Sequence, residues 1–158
     1  MVPSTVIRDF RHWPTERDPA RLDSMGIVLD GLEILDEKEC LDLVRDARVG
    51  RVAVSQGGIA DVLPIAYVLV GRDVFFFTGR GTKWEAALRQ QSVTFEVDAF
   101  DVDTESGWSV MVVGRAVVAS AAATARAQAL GLWPWAAGER HYLVRLRSDL
   151  ISGRRLLK

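Results

Sequence analysis

Apolar residues recur with two different periods along this chain, and the periods predict where helices and strands lie. Around residue 40 the spacing is that of one face of a short amphipathic helix. The apolar positions of this helix are Cys40, Leu43, Val44 and Ala47. Asp36 and Glu39 stand in the order of a capping box, which predicts where the helix begins. Because Cys40 belongs to the apolar face, we predict that it packs in the core.

Most other apolar segments are short and have the composition of strands. The predicted strands are residues 48–55, 59–70, 74–78, 93–100, 108–120, 142–147 and 151–157. Residues 56–58 predict a hairpin turn, and the first three strands are predicted to form a meander. About six short strands with few helices predict a mainly β fold, a small antiparallel barrel.

The segment 108–120 is nearly continuous in apolar residues, so both faces of this strand need cover. The barrel interior covers one face. A second copy of the chain is expected to cover the other, which predicts a homodimer. Gly114 and Arg115 interrupt the run and predict a bulge or a barrel corner. Residues 93–100 instead alternate, so one face of that strand is predicted to be wet. Its apolar positions are Val93, Phe95, Val97 and Ala99.

The two ends of the chain differ in character. Residues 1–25 are polar, contain three prolines and show no sustained period. They predict a flexible amino-terminal extension, or an arm that lies on another surface, before a single domain at residues 26–158. Towards the other end, Ser120 is placed to cap an alanine-rich helix over residues 121–130, and Gly131 is placed to end it.

The composition mainly argues against certain classes of protein, namely nucleic-acid-binding, membrane-spanning, secreted and metal-binding proteins. A chain of 158 residues with a net charge of −1 fits one domain and offers no basic surface for nucleic acid. No apolar run approaches the roughly 18 residues that cross a membrane. A single cysteine cannot form an internal disulfide, and the amino terminus lacks a signal-peptide core, so we expect a cytoplasmic protein. His141 has no second histidine or cysteine at ligand spacing, so no metal site is expected.

The segment 73–88 carries the clearest candidate chemistry. An aromatic strand runs into two glycines, Gly79 and Gly81, and a helix follows at once. The glycines allow a sharp turn and leave backbone amides uncovered. Thr82 and Glu85 have the spacing of a capping box, which predicts that Thr82 caps the helix.

This helix start, with Arg80 and Lys83 beside it, has the features that suit a phosphate group. The spacing matches neither the nucleoside triphosphate loop nor the dinucleotide fingerprint. A capped strand-to-helix turn with a solvated lysine explains the same residues. The segment alone leaves both interpretations open.

Pro64 lies in the middle of a predicted strand, where it cannot donate a ladder hydrogen bond. The backbone there is therefore at an edge or faces a ligand. If the strands pair as a meander, residues 63–65 and 78–83 lie on adjacent strands. Exposed backbone groups would then lie beside a phosphate pocket, which suits a flat, phosphorylated molecule. An edge proline in a barrel without a ligand is the alternative.

These segments together resemble the pyridoxamine 5′-phosphate oxidase-like flavoproteins with the split β-barrel fold, in particular their short actinobacterial-type members. The segments are residues 47–54, 62–67, 76–83 and 106–110, and residues 135–140 also fit. The resemblance implies a six-stranded antiparallel split β-barrel that forms a homodimer. It also implies two cofactor sites at the subunit interface, each built from both chains. The family's usual ligand is FMN, and some relatives use a deazaflavin or haem.

The resemblance also assigns roles to individual residues, none of them catalytic. The residues that would hold the FMN phosphate are Thr78, Gly79, Thr82 and Lys83. Those whose backbone would face the edge of the isoalloxazine ring are Leu63, Pro64 and Ile65. Trp108 and Ser109 would lie near the ring, and Trp135 or Arg140 would close the site from the partner chain.

Two departures from the family's pattern argue against two specific activities, pyridoxamine phosphate oxidation and the histidine chemistry of the nitroimidazole-reductase-like branch. Arg154 and Arg155 are not convincingly the carboxy-terminal arginines that bind substrate phosphate in full-length pyridoxamine phosphate oxidases. Thr78 stands where nitroimidazole-reductase-like relatives have a histidine. The leading interpretation is an FMN-dependent oxidoreductase of this family that acts on an unidentified small molecule, with a nicotinamide as candidate electron donor. A non-catalytic flavin, deazaflavin or haem-binding protein is the second interpretation, and a structural dimer with an empty site is the third.

Overall fold

The computed structural model describes residues 28–29, 31–134 and 142–156. The predicted extension at residues 1–25, and the site candidates Trp135 and Arg140, lie outside these ranges. The strands are β1 (Val28–Leu29), β2 (Leu32–Leu35), β3 (Val49–Gln56), β4 (Ile59–Ala66), β5 (Val68–Val70), β6 (Asp73–Thr78), β7 (Ser92–Asp101), β8 (Ser106–Val118) and β9 (Tyr142–Leu156). The helices are α1 (Glu37–Asp46), α2 (Thr82–Leu88) and α3 (Ala121–Ala129).

The strands of the described ranges form one antiparallel sheet that divides around β9. The main path runs β1-β2-β9-β8-β7-β3-β4, and β6 pairs with both β5 and β9. One edge of β9 pairs with β8, from Val144 to Leu156. The other edge pairs with β6 at its beginning and with β2 at its end. The predicted mainly β, split-barrel fold is confirmed. Of the nine strands described, six are six residues or longer, and β1, β2 and β5 are shorter.

Helix α1 closes one side of the barrel as the sequence predicts. The Asp36 side chain accepts from the Glu39 amide at 2.8 Å, and the Glu39 carboxylate accepts from the Asp36 amide at 3.1 Å. Cys40 is fully buried in the main core. The hydroxyl of buried Tyr67 donates to the Val44 carbonyl at 2.5 Å and ties the helix to the barrel. The capping box and the core position of Cys40 are therefore confirmed.

Strand β8 has one covered face and one uncovered face. On one face Val110 and Val112 are fully buried, whereas on the other face Met111 is 37% exposed and Val113 and Val117 are partly buried. The register of the β8–β9 ladder shifts between Val113 and Gly114, so the predicted bulge is confirmed. The Met111 side of β8 is the side that the predicted second subunit would cover.

Strand β7 and helix α3 also follow the sequence pattern. The inward positions Val93, Phe95 and Val97 are buried. Ala99 is exposed, because β7 has by then run beyond the barrel into its hairpin with β8. The Ser120 side chain accepts from the Ala123 amide at 3.3 Å and caps α3 as predicted.

Three predictions about the strands are wrong in detail. Residues 59–70 form two strands rather than one, because the chain leaves the β4 ladder at the buried residue Tyr67. Both hairpins of the predicted meander are present, β3–β4 and β5–β6, and the meander is interrupted between β4 and β5. Residues 142–147 and 151–157 are not separate strands. Residues 148–150 stay extended because Ser148 and Leu150 pair across the bulge with β8.

Candidate functional site

The candidate phosphate site is the connection between β6 and α2. Strand β6 ends at Thr78, which is 5% exposed, and its hydroxyl donates to the Gly79 carbonyl at 3.1 Å. Gly81 follows with a φ of 144°, in a region that side chains rarely adopt. A Cβ placed on Gly81 would meet no atom within 4 Å, so the backbone at this corner is open.

The start of α2 differs from the predicted capping box. Gly81 is the N-cap residue, and Thr82 is already the first helical residue, so its hydroxyl is one position too late to cap the helix. No side-chain cap bond forms at this end. Glu85 instead lies 3.4 Å from the Gln56 side-chain amide and 3.8 Å from Arg89. Since first-turn amides have no carbonyl partner within their own helix, this end suits an acceptor from outside.

The connection also concentrates positive charge. Residues 78–83 contain Arg80 and Lys83 and no acidic residue. The exposed Arg80 donates from Nε to the Tyr142 hydroxyl at 3.4 Å, and this hydrogen bond raises the pKa of Arg80. The Tyr142 ring stacks on Trp84, with 4.2 Å between ring centroids. Lys83 is half-buried in the first turn of α2.

Sequence reasoning did not find the part that Tyr142 plays. Tyr142 pairs with Thr78 in the β6–β9 ladder, and this pairing brings it beside Arg80 and Trp84. The two strands are far apart in sequence, and no local pattern announces their pairing. The apolar spacing of α2 did place Trp84 on the packed face, which was the one signal available.

Strand β4 supplies the free backbone that Pro64 predicted. The turn at Gly57 and Gly58 has two residues with positive φ, so Gln56 and Ile59 form a hydrogen-bonded pair. The pattern then alternates, and the backbone groups of Val62 and Pro64 point away from β3. In the described part of the chain, β4 ends the sheet on that side. The edge position of Pro64 is confirmed, and its missing N–H lies where no ladder bond is lost.

The predicted ring-edge residues and the predicted phosphate residues are not on adjacent strands. Leu63 and Ile65 lie on β4 opposite Val52 and Gly50 of β3, and no ladder joins β4 to Thr78 on β6. Some Cα atoms of β4 and β6 still approach within 8 Å, because the sheet curls. The two sets are therefore not joined by a ladder.

Trp108 and Ser109 lie far from the other candidates along the sheet. Trp108 is partly buried against the main core and pairs with Arg155 of β9, and Ser109 pairs with Arg154. Thr78 pairs with Tyr142 at the opposite end of β9. At about 3.3 Å per residue, the separation along this strand is roughly 40 Å. One chain does not bring these two groups together along its own sheet.

The carboxy-terminal arginines differ in their surroundings. Arg155 lies 2.6 Å from a Glu33 oxygen and 3.7 Å from Glu39, so its charge is used within the fold. Arg154 is exposed. In the described ranges no group of three or more His, Cys, Asp or Glu side chains is arranged to hold a metal ion. Likewise, no helix described there is long and apolar enough to cross a bilayer.

Comparison with known proteins places this arrangement in a family. The pyridoxamine 5′-phosphate oxidase family model matches residues 36–155. The chain belongs to this family. The resemblance predicted from the sequence is thereby confirmed, and all the candidate site residues, including Trp135 and Arg140, lie within the matched range.

Two solved structures and one curated relative show how close the likeness is. An FAD binding protein from Mycobacterium smegmatis is 33% identical with a TM-score of 0.61, and the match covers 79% of this chain and 98% of that one. A conserved protein of unknown function from Corynebacterium diphtheriae is 32% identical with a TM-score of 0.67, covering 81% and 100%. An uncharacterized protein of Mycobacterium tuberculosis is 28% identical, covering 78% of this chain and 84% of its own.

Within the pyridoxamine 5′-phosphate oxidase family, this chain thus offers three separate candidate surfaces. They are the cationic β6–α2 connection, the free backbone edge of β4, and the Trp108–Ser109 end of β8. The first has the charge for a phosphate, and the second has the donors and acceptors for a planar heterocycle. The third lies at the far end of the sheet, and the sheet of one chain does not bring it beside the other two surfaces.

Proposed function

We propose that this protein is an FMN-dependent oxidoreductase that acts on a small molecule. The observation that carries the proposal is its membership of the family together with its 33% identity to an FAD binding protein over almost all of that protein's length. FMN is the flavin that we favour, because the β6–α2 connection gathers its charge at one corner and matches a single terminal phosphate.

The phosphate end of FMN fits the β6–α2 connection. Arg80 and Lys83 supply opposite charge, the Thr82 hydroxyl is available as a donor, and the open backbone at Gly81 permits close approach. Helix α2 has only seven residues, so the side-chain cations rather than the helix dipole carry most of the attraction. A charge-assisted hydrogen bond from Lys83 contributes about 1.5–3 kcal/mol.

The ring end fits the free edge of β4. The Val62 N–H is a donor there, and the Val62 and Pro64 carbonyls are acceptors, which complements the mixed donors and acceptors of the flavin's pyrimidine edge. The bound flavin supplies the hydride chemistry, and this chain's residues bind and orient it and exclude water.

A homodimer completes the proposed site. Met111, Val113 and Val117 place apolar side chains on the outer side of β8, and a second copy of the chain would cover them. Because Trp108 and Ser109 lie at the opposite end of β9 from Thr78, we assign them to the site formed with the partner's β6–α2 connection. Each dimer then has two equivalent sites, and each site has residues from both chains.

The phosphate assignment is tested by comparing FMN with riboflavin, which lacks the phosphate. Lys83→Gln should weaken FMN binding about 10- to 100-fold and leave riboflavin binding unchanged, as measured by fluorescence quenching. Lys38→Gln is the matched control, because Lys38 is 85% exposed on α1 and pairs with Asp42. Equal loss of both ligands, or no loss of either, would contradict the assignment. A colourless protein whose melting temperature does not rise with FMN would refute the flavin itself.

The shared site is tested by mixing subunits. Lys83→Gln and Trp108→Leu homodimers each have two defective sites. In a mixed dimer, a shared site places both substitutions in one site and leaves the other intact. The mixed dimer should therefore have half of the wild-type FMN capacity, which is about a quarter for an equimolar mixture after random subunit exchange. No return of tight binding would show that both residues act within one chain.

Oxidoreductase activity is tested by stopped-flow reduction of the flavin-loaded protein with NADH and NADPH. Fast reduction followed by reoxidation with a small acceptor supports the proposal. If neither donor reduces the bound flavin, the second interpretation holds and the protein is a non-catalytic binder. Absorption spectra of the loaded protein then distinguish flavin, deazaflavin and haem.

A further inference from the structure

A cleft of about 290 Å3 opens between α3 and the hairpin of β5 and β6. Phe75, Ala122 and Ala123 line its apolar part, and Asp73, Arg126 and Arg145 line its polar part. Phe75 is 6% exposed and belongs to the small cluster beneath α3. The cleft is thus a formed surface with an aromatic side chain in its wall.

This cleft is distinct from the proposed flavin site. Phe75 and Thr78 both lie on β6, but alternate residues of a strand face opposite sides of the sheet. Phe75 packs towards α3, whereas Val74 and Phe76 pack in the main core, on the side to which Thr78 belongs. A ligand bound against Phe75 therefore does not touch the β6–α2 connection.

The composition of α3 explains why space remains here. The first turn of α3 has only methyl side chains at Ala122 and Ala123, where it crosses the hairpin. Further along, buried Ala127 and Leu132 pack against Phe75 and Leu143, which fixes the helix on the sheet. Ala123 of the first turn also packs against this cluster, and the small methyl side chains at this point leave the cleft open.

Arg145 is held in a defined orientation at the edge of the cleft. Its Nε donates to Asp73 Oδ2 at 2.8 Å, and its Nη2 lies 2.5 Å from the same oxygen. The other Asp73 oxygen accepts from the Ser148 amide at 3.0 Å, so the carboxylate is itself fixed. The guanidinium carbon lies 6.0 Å from the centre of the Phe75 ring. Within the described residues these contacts leave Nη1 to a ligand, and the Arg145 side chain is 43% exposed.

We propose that this cleft binds a small monocarboxylate with a compact aromatic or branched apolar body. The apolar body packs on Phe75 and the alanines, and the planar carboxylate pairs with the planar guanidinium of Arg145 and with Arg126. Two arginines and Asp73 give the lining a net charge of +1. This charge favours an anion, and the fixed Asp73 carboxylate repels a dianion about twice as strongly as a monoanion at the same distance.

Benzoate is the probe, titrated into the full-length protein loaded with its cofactor and followed by amide chemical shifts. We expect saturable shifts of the Phe75, Ala122 and Ala123 amides. Benzamide, which has the same shape without the charge, should bind at least about tenfold more weakly. Ala122→Leu, an exposed helix position that accepts leucine, should fill the cleft and weaken benzoate at least about tenfold.

Arg126→Gln should weaken benzoate binding about fivefold or more. Arg45→Gln is the control and should leave benzoate binding unchanged, because Arg45 is exposed on α1 and pairs with Asp42. Shifts that spread over the surface without saturation below about 20 mM, or equal affinity in wild type and Ala122→Leu, would overturn the proposal. Equal affinity for benzamide would overturn the role of the arginines. Flavin binding is unaffected in each case, so the two proposals fail separately.

Discussion

An alanine at position 153 tests how closely β9 packs against α1. An ideal Cβ on Gly153 would stand 2.6 Å from Cys40 Sγ and 3.2 Å from Leu35 Cδ1. Non-bonded atoms of this kind prefer about 3.5–4 Å. Cys40 is 0% and Leu35 5% exposed, so neither has solvent to move into. We expect Gly153→Ala to lower the free energy of unfolding by about 2 kcal/mol, the middle of the range for overpacked cores.

Removing the sulfur should rescue this variant. Cys40→Ala alone deletes one buried atom and should lower the free energy of unfolding by about 1 kcal/mol. In the double variant the new Cβ occupies the space of the missing Sγ. The double variant should therefore lose about 1 kcal/mol, whereas the sum of the single effects is about 3 kcal/mol.

Urea unfolding of the wild type, the two single variants and the double variant measures this coupling. The protein and flavin concentrations are kept fixed, because any association or ligand binding alters the apparent stability. Single and double effects that add within about 0.5 kcal/mol would refute the reasoning, since the two residues would then not share one space. A changed urea slope in one variant would instead indicate an altered unfolded or native state, and the comparison would be repeated by thermal unfolding.

Other parts of the fold make separate predictions. Asp36→Ala removes the acceptor of the Glu39 amide and should lower the free energy of unfolding by about 1 kcal/mol, and a loss below about 0.3 kcal/mol would contradict the capping role. Gly114→Ala should be more harmful than Gly153→Ala and should not be rescued by Cys40→Ala, because its Cβ overlaps a backbone carbonyl, that of Arg147. Burial raises the pKa of the Cys40 thiol to about 11, so at pH 8 a disulfide reagent should label Cys40 only as fast as the protein unfolds. The pKa of this thiol is higher in the folded protein than in the unfolded chain. Its contribution to stability is therefore complete below about pH 9 and is lost as the pH rises towards 11. A pH series of urea titrations should show this loss in the wild type and not in Cys40→Ala.

Local signals in the sequence predicted the local elements well. The capping box of α1 needs only Asp36 and Glu39, three residues apart, and the Gly57–Gly58 turn needs only two glycines between apolar runs. In both cases the residues that decide the structure are neighbours in sequence, so no long-range pairing had to be known. The bulge opposite Gly114 falls at a local break in an apolar strand, but its extra residue, Asp149, lies on β9.

The errors arose where distant residues decide. The Thr82–Glu85 pattern is a capping box in composition, but the helix begins one residue earlier in register because Gly81 provides the turn. Residues 148–150 look like a loop by composition, yet they stay extended because β8 pairs with them. The meander is interrupted within its middle strand, because the chain leaves the β4 ladder at Tyr67 before β5 pairs with β6.

Strand β9 explains why the candidate site could not be assembled from sequence. Its first residue, Tyr142, pairs with Thr78 beside the cationic connection, and Arg155 near its end pairs with Trp108. The residues that resemble the family's cofactor ligands are therefore divided between the two ends of one long strand. The proposed site combines opposite ends of two chains, and a two-fold axis would do this with a single repeated contact. The homodimer predicted from the apolar face of β8 and the division of the candidate residues along β9 thus lead independently to the same proposal, which the mixed-subunit experiment decides.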